Sequence, residues 1–206
     1  MSRYLPITFL LLLIFCTWTF PVQAGKFNRV LNIGDAAPAW GDLKSVDGRA
    51  LALSDFAESS AIVVVFFANR CPVSQLYSQR LSALADDFRD RKVAVVAISV
   101  SHSEADQFEA MQIRSRQQQF RFEYLQDLSQ ESARRFGATC TPHAFVLDRE
   151  RKIAYMGAID DNFRQPDQVA EPYLRLALDA LLKGEKPEIR ETRQTGCDIE
   201  FVSPSK

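Results

Sequence analysis

The chain has 206 residues, 47% of them hydrophobic and 25% charged, with 8 Gly, 9 Pro, 4 Cys and a formal net charge of -1. That size and balance fit one globular domain with a sizeable core and exclude disorder, collagen and coiled coil as whole-chain descriptions. A pI near 6.2 lacks the basic excess that nucleic acid or an anionic membrane surface requires, so neither is an expected partner.

Arg3, the apolar run from Leu5 to Phe20 and the small-residue pattern Val22-Gln23-Ala24 read as a secretory signal peptide over residues 1–24. An uncleaved anchor is the alternative, since the run approaches the roughly 18 apolar residues of a spanning helix; Pro21 and Ala24 favour cleavage. Lipid attachment at Cys16 needs a small residue before it, where Phe15 stands. The expected location is periplasmic or secreted, membrane-anchored only if the segment is retained. Removing the first 24 of the 206 residues leaves 182, with Cys71, Cys140 and Cys197. An odd number in an exported chain points to an exchanging thiol and not to a fully paired scaffold.

Residues 25–184 read as one α/β domain with a central mixed sheet flanked by helices, and residues 185–206 as a polar, mobile-looking tail carrying Cys197. Asp47-Gly48 marks a turn between short strands. The unbroken run Ala61 to Ala68 reads as a strand buried on both faces. Pro72 opens a helix through Leu76, Leu81, Leu84 and Phe88, and Val93 to Ile98 is the next buried strand, completing a βαβ unit. The pattern then predicts a polar helix from Ser103 to about Gln118, a short strand around Phe122 to Leu125, and a helix from Ser129 to Phe136 closed by Gly137. A hairpin follows, Ala144–Leu147 and Lys152–Met156 around Asp148 to Arg151, and then an amphipathic helix from Pro172 to Lys183.

Cys71 is separated from the central strand by two residues and stands directly before the helix that begins at Pro72. A thiol there faces the unsatisfied N–H groups and positive dipole end of the helix, which favour thiolate, and Arg70 adds positive charge. The bland alternative is a small buried hydrophobe. Strand-to-helix junctions, however, are where ligands meet α/β sheets.

The segment Phe66-Phe67-Ala68-Asn69-Arg70-Cys71-Pro72-Val73-Ser74 resembles the active-site segment of the thioredoxin superfamily, with Ser74 where a C-x-x-C motif has its second cysteine. It also resembles the peroxiredoxins, except that Ala68 and Val64 stand where their pattern has Thr and Pro. The closer similarity is to the peroxiredoxin-like, or redoxin, branch. It extends to Gly137-Ala138-Thr139-Cys140-Thr141-Pro142, to Gly157-Ala158-Ile159-Asp160-Asp161 and to Gly196-Cys197-Asp198-Ile199, covering nearly all of the mature domain.

The resemblance implies a thioredoxin-like fold, Cys71 as attacking thiolate, and a cis Pro142 beside it whose loop pairs with an extended substrate. Arg70, Pro72, Thr141 and Pro142 are the expected substrate contacts. If the Pro142 loop abuts Cys71, Cys140 is in range to resolve it, unless strand alternation turns that thiol away; a disulfide needs Cα atoms within about 7 Å. Cys197 is the other candidate, able to meet Cys71, Cys140 or another chain.

His143 reads as a hydrogen-bonded strand-edge residue, and His102 and His143 are too few for a zinc set. Asp160, Asp161 and Glu171 read as a solvated acidic loop more readily than a cation site. No phosphate loop, dinucleotide fingerprint or G-x-S-x-G elbow occurs, so no cofactor or metal is implied.

The expected function is an exported thiol–disulfide oxidoreductase with catalytic Cys71, Cys140 and Cys197, a protein disulfide or peroxide as substrate and an unidentified thiol reductant. Peroxide reduction is the close alternative, disfavoured slightly by the missing Thr at position 68. A non-catalytic module holding a client protein or Cu(I) is the third reading.

Overall fold

The computed structural model describes residues 25–203. The signal-peptide reading and Cys16 lie outside the described residues. Among those described, no helix is long and apolar enough to cross a membrane.

A seven-stranded mixed sheet forms the centre, built from β1 (Leu43–Ser45), β2 (Ala50–Leu51), β3 (Ala61–Phe66), β4 (Val93–Ser99), β5 (Glu123–Gln126), β7 (His143–Leu147) and β8 (Ile153–Gly157). Its order is β2-β1-β5-β4-β3-β7-β8. β3 runs parallel to β4, Ala61 facing Val93, and antiparallel to β7, Phe66 facing His143. All six residues of β3 are buried, as a continuous apolar run demands.

Alternation along β3 feeds two cores. Val63 and Val65 pack with Tyr77, Leu81 and Phe88 of α1 (Pro72–Phe88), Met111 of α2 (Phe108–Gln118) and Leu174 and Leu178 of α4 (Tyr173–Leu182). Ile62, Val64 and Phe66 pack with Trp40, Leu53 and Phe136 of α3 (Glu131–Phe136). Each such fully buried side chain contributes about 1.5–3 kcal/mol relative to exposure.

Three departures from the expected elements bear on the site. The helix expected from Ser103 is interrupted: a short turn covers Glu104–Asp106, Gln107 is extended, and α2 starts at Phe108. The cause is Asp106, whose wholly buried carboxylate is committed to backbone groups elsewhere. α3 begins at Glu131, because Gln130 is left-handed at φ 61° and the Asp127 carboxylate accepts from Ser132 N at 2.9 Å.

The third departure is the tail. It is docked along the domain, with Met156 N donating to Arg190 O at 3.0 Å and Thr192 N to Met156 O at 3.1 Å. Gly157 (φ +140°) permits the close approach, since a Cβ there would lie 2.3 Å from Thr192 Oγ1. Further on, β9 (Cys197–Asp198) pairs antiparallel with β6 (Cys140–Thr141), Thr141 facing Cys197.

Candidate active site

The central strand delivers the chain to the site. After Phe66 the backbone turns, Cys71 N donates to Ala68 O at 3.1 Å, and Cys71 becomes the N-cap of α1 with Pro72 in its first turn. Ser74 N donates to Cys71 Sγ at 3.4 Å, so an otherwise orphaned helix N–H points at the sulfur. Asp106 holds the turn from beneath: Asn69 N and Arg70 N donate to its two oxygens at 2.5 and 3.3 Å, and Ser103 Oγ donates at 2.8 Å. Tyr124 OH adds a bond to Asn69 Oδ1 at 3.1 Å.

Cys71, Cys140 and Cys197 are all thiols, the first two buried and the third partly so. The Cys71 and Cys197 thiols lie within hydrogen-bonding reach of each other, an arrangement suited to thiol–disulfide chemistry. Burial pushes the Cys71 thiol up, but hydrogen bonds from the Cys197 thiol, Ser74 and the Thr141 side chain outweigh it, so it ionises below its ordinary value. In the neutral state the thiol donates to Thr141 O at 2.8 Å, a bond that a thiolate gives up. Cys197 is pushed up to about 11, by burial first and then by its bond to Cys71 and the charge there. Of the two thiols Cys71 therefore ionises first, and Cys197 keeps its proton while Cys71 is charged.

Thr141-Pro142 is a cis peptide, as the resemblance implied, and its loop lies against Cys71. Cys140 is turned the other way: its thiol donates to Pro142 O at 3.8 Å. Burial, followed by the charges of Asp198, Cys71 and Cys197, pushes it up to about 12. The thiol that meets Cys71 is thus Cys197 and not Cys140, because alternation along β6 aims Thr141 at the site instead.

Arg70 also differs from expectation. Its guanidinium pairs with Glu200 of the tail at 2.7 Å, and its charge acts on Cys197.

The weaker candidates fall outside this cluster. His143 is not at an edge, since β7 lies between β3 and β8; its ring stacks on Phe145 at 4.6 Å and Nδ1 has no partner. Burial pushes its pKa down to about 3, leaving a neutral ring. Asp160 is likewise not solvated: it accepts from Tyr77 OH and Arg80 Nη1, both at 2.6 Å. His102 Nε2 lies 3.0 Å from Leu128 O. Among the described residues no group of three or more His, Cys, Asp or Glu side chains converges to hold a metal ion.

Sequence reasoning missed Asp106, Gln130 and Glu200. Gln130 has no exposed surface; its Nε2 donates to Val100 O and Glu200 O, both at 2.9 Å, and its Oε1 accepts from Val202 N at 2.8 Å. No local pattern marks these residues, because the bonds by which they shape the site span 30 or more positions of chain.

A helix-capping thiol, a cis-proline loop against it and a second thiol within reach define a thioredoxin-like domain of the redoxin type. The chain belongs to the AhpC/TSA family, whose model matches residues 33–156. Among solved structures it is similar to an uncharacterized conserved protein from Geobacillus kaustophilus, 32% identical, with 87% of this chain and 96% of that one covered and a TM-score of 0.76. A hypothetical protein from Sinorhizobium meliloti 1021 is 31% identical, with 85% and 98% covered and a TM-score of 0.76. Peroxidoxin BcpB from Mycobacterium tuberculosis shares the fold at 19% identity, with 60% and 83% covered and a TM-score of 0.52. No curated protein matches the sequence.

Proposed function

We propose that the protein is an exported thiol–disulfide oxidoreductase in which Cys71 attacks and Cys197 resolves. The observation that carries this reading is the close approach of the Cys71 and Cys197 thiols at the start of α1. The Cys71 thiolate attacks one sulfur of a substrate disulfide; that S–S bond breaks, one substrate sulfur leaves as a thiolate and takes a proton, and the other is joined to Cys71. With Cys71 no longer charged, the bond and charge that hold the Cys197 proton are gone. Cys197 then loses its proton to solvent and attacks Cys71 Sγ, forming the Cys71–Cys197 disulfide and expelling the second substrate thiol. The substrate gains two electrons, and an external dithiol returns the pair to its reduced state.

Peroxide reduction is the second reading, favoured by the match to the AhpC/TSA family. Against it, Ala68 supplies no hydroxyl to polarise an O–O bond. Parallel assays with a protein disulfide and hydrogen peroxide, under dithiothreitol turnover, separate the two. The proposal expects disulfide turnover that Cys71→Ser abolishes, and a mixed disulfide trapped on Cys71 in Cys197→Ser. Peroxide consumption with no disulfide turnover would overturn it in favour of the second reading. The signal segment makes export part of the proposal, tested by the N-terminal residue of the protein recovered from cells: Gly25 is expected, and an intact Met1 with retention in the cell contradicts it.

A further inference from the structure

The segment that carries Cys197 is held as a bound peptide is held. Thr192 is pinned to the domain, its Oγ1 accepting from Ala158 N at 2.9 Å. Beyond it, Cys197 and Asp198 lie along β6, and Ile199 N donates to Thr139 O at 2.9 Å. Gly196 crosses Thr141 so closely that a Cβ would lie 2.1 Å from the Thr141 carbonyl oxygen. Glu200 pairs with Arg70, Gln130 grips Glu200 O and Val202 N, and Arg134 Nη2 donates to Val202 O at 2.5 Å. Gln130 is a wholly buried polar side chain, a fixed fork with two of its bonds directed at this segment. Asp198, Glu200, Phe201 and Val202 are nonetheless exposed, so Ile199, half-buried against the core, supplies most of the apolar burial that holds the segment down. A hollow of about 250 Å³ flanks it, lined by Ala68, Arg70, His102, Thr141, Ile199 and Glu200 among others.

We propose that Gly196–Val202 is a tethered ligand of the Cys71 site, occupying the seat of the substrate. The substrate is then an extended polypeptide segment with a small residue directly before its disulfide-bonded cysteine and an acidic side chain three residues after it. It adds to β6 when the tail lifts from its anchor at Thr192. The returning tail displaces the bound segment as Cys197 attacks Cys71, so resolution and product release are one movement. This inference rests on the reading of Cys71 as a disulfide-attacking thiolate.

The test uses the full mature chain and three peptides built on Thr-Gly-Cys-Asp-Ile-Glu, each joined through its cysteine to 2-nitro-5-thiobenzoate: the parent, one with Val for Gly, and one with Lys for Glu. A small aromatic disulfide without peptide serves as the reference. The expected result is a kcat/KM about tenfold or more lower for the Val peptide, which meets the Thr141 carbonyl, and up to about fivefold lower for the Lys peptide. In Glu200→Ala the parent peptide's KM falls by up to about fivefold, because the competing tail is loosened. Reduction of the small disulfide with equal kcat/KM for all three peptides and no change in Glu200→Ala overturns the tethered-ligand proposal alone. Failure to reduce any of the disulfides overturns the proposed function and this inference with it.

Discussion

Cys197 faces Thr141 across the short β6–β9 ladder, and the Thr141 carbonyl is 2.8 Å from Cys71 Sγ. One backbone residue thus sets both thiols of the site, and a slip of one residue in that ladder would turn Cys197 to the other face.

Alkylation of Cys71 should rise with pH through a midpoint below that of a free cysteine, because donors to the sulfur outweigh the burial that opposes ionisation. Cys197→Ala removes the largest of the favourable contributions and should move the midpoint upward. Cys197→Ser keeps a hydroxyl donor and should move it less. An unchanged midpoint in Cys197→Ala would show that Cys197 does not stabilise the thiolate.

Cys140 provides a contrast. Its thiol is pushed up to about 12, so almost none is ionised at neutral pH. Cys140→Ala should leave disulfide turnover within about twofold while lowering stability by about 1–2 kcal/mol through a small cavity. Turnover assays beside urea denaturation check both halves. A loss of turnover comparable to that of Cys71→Ser would restore Cys140 as a participant.

Asp106 is the residue on which the active-site turn rests. Asp106→Ala leaves the Asn69 and Arg70 N–H groups without their acceptor, and hydrogen bonds to a charged group are each worth about 1.5–3 kcal/mol. A lowered urea midpoint and a shifted Cys71 alkylation profile are expected together. A stability loss with an unaltered Cys71 profile would make Asp106 structural only.

The division between legible and hidden features follows from the range of the interactions. β3 and β4 stand out because strands buried on both faces must be apolar throughout, and Cys71 stands out because Pro72 marks a helix start. The docked tail left no comparable trace. Its pairing uses backbone groups of Cys197 and Asp198, and two-residue strands are too short for periodicity. Asp106 lay inside a polar stretch that reads as helix, and only the tertiary structure shows its carboxylate turned to residues 69 and 70. The edge position expected of His143 fails for the same reason of range: β7 pairs with β3, some 80 positions earlier in the chain, as well as with its hairpin partner β8.

His143 gives a prediction in pH. Its folded pKa is lowered to about 3 by burial, against about 6.5 in an unfolded chain. Above pH 6.5 both states are neutral and the ring has no pH-dependent effect. Below it the unfolded chain binds the proton first, so stability falls by about 1.4 kcal/mol per pH unit until the folded value is reached. Between pH 7 and pH 5 this amounts to a loss of about 2 kcal/mol, which His143→Phe should remove from a series of urea titrations. An identical pH slope in the variant would contradict the assignment.

The most direct measurement of the central claim is mass mapping of non-reduced peptides after mild oxidation of the full chain. The pairing of thiols in the site predicts a Cys71–Cys197 bridge with Cys140 still alkylatable once the protein is unfolded. A Cys71–Cys140 bridge, or a Cys71 that remains a thiol under those conditions, would contradict it.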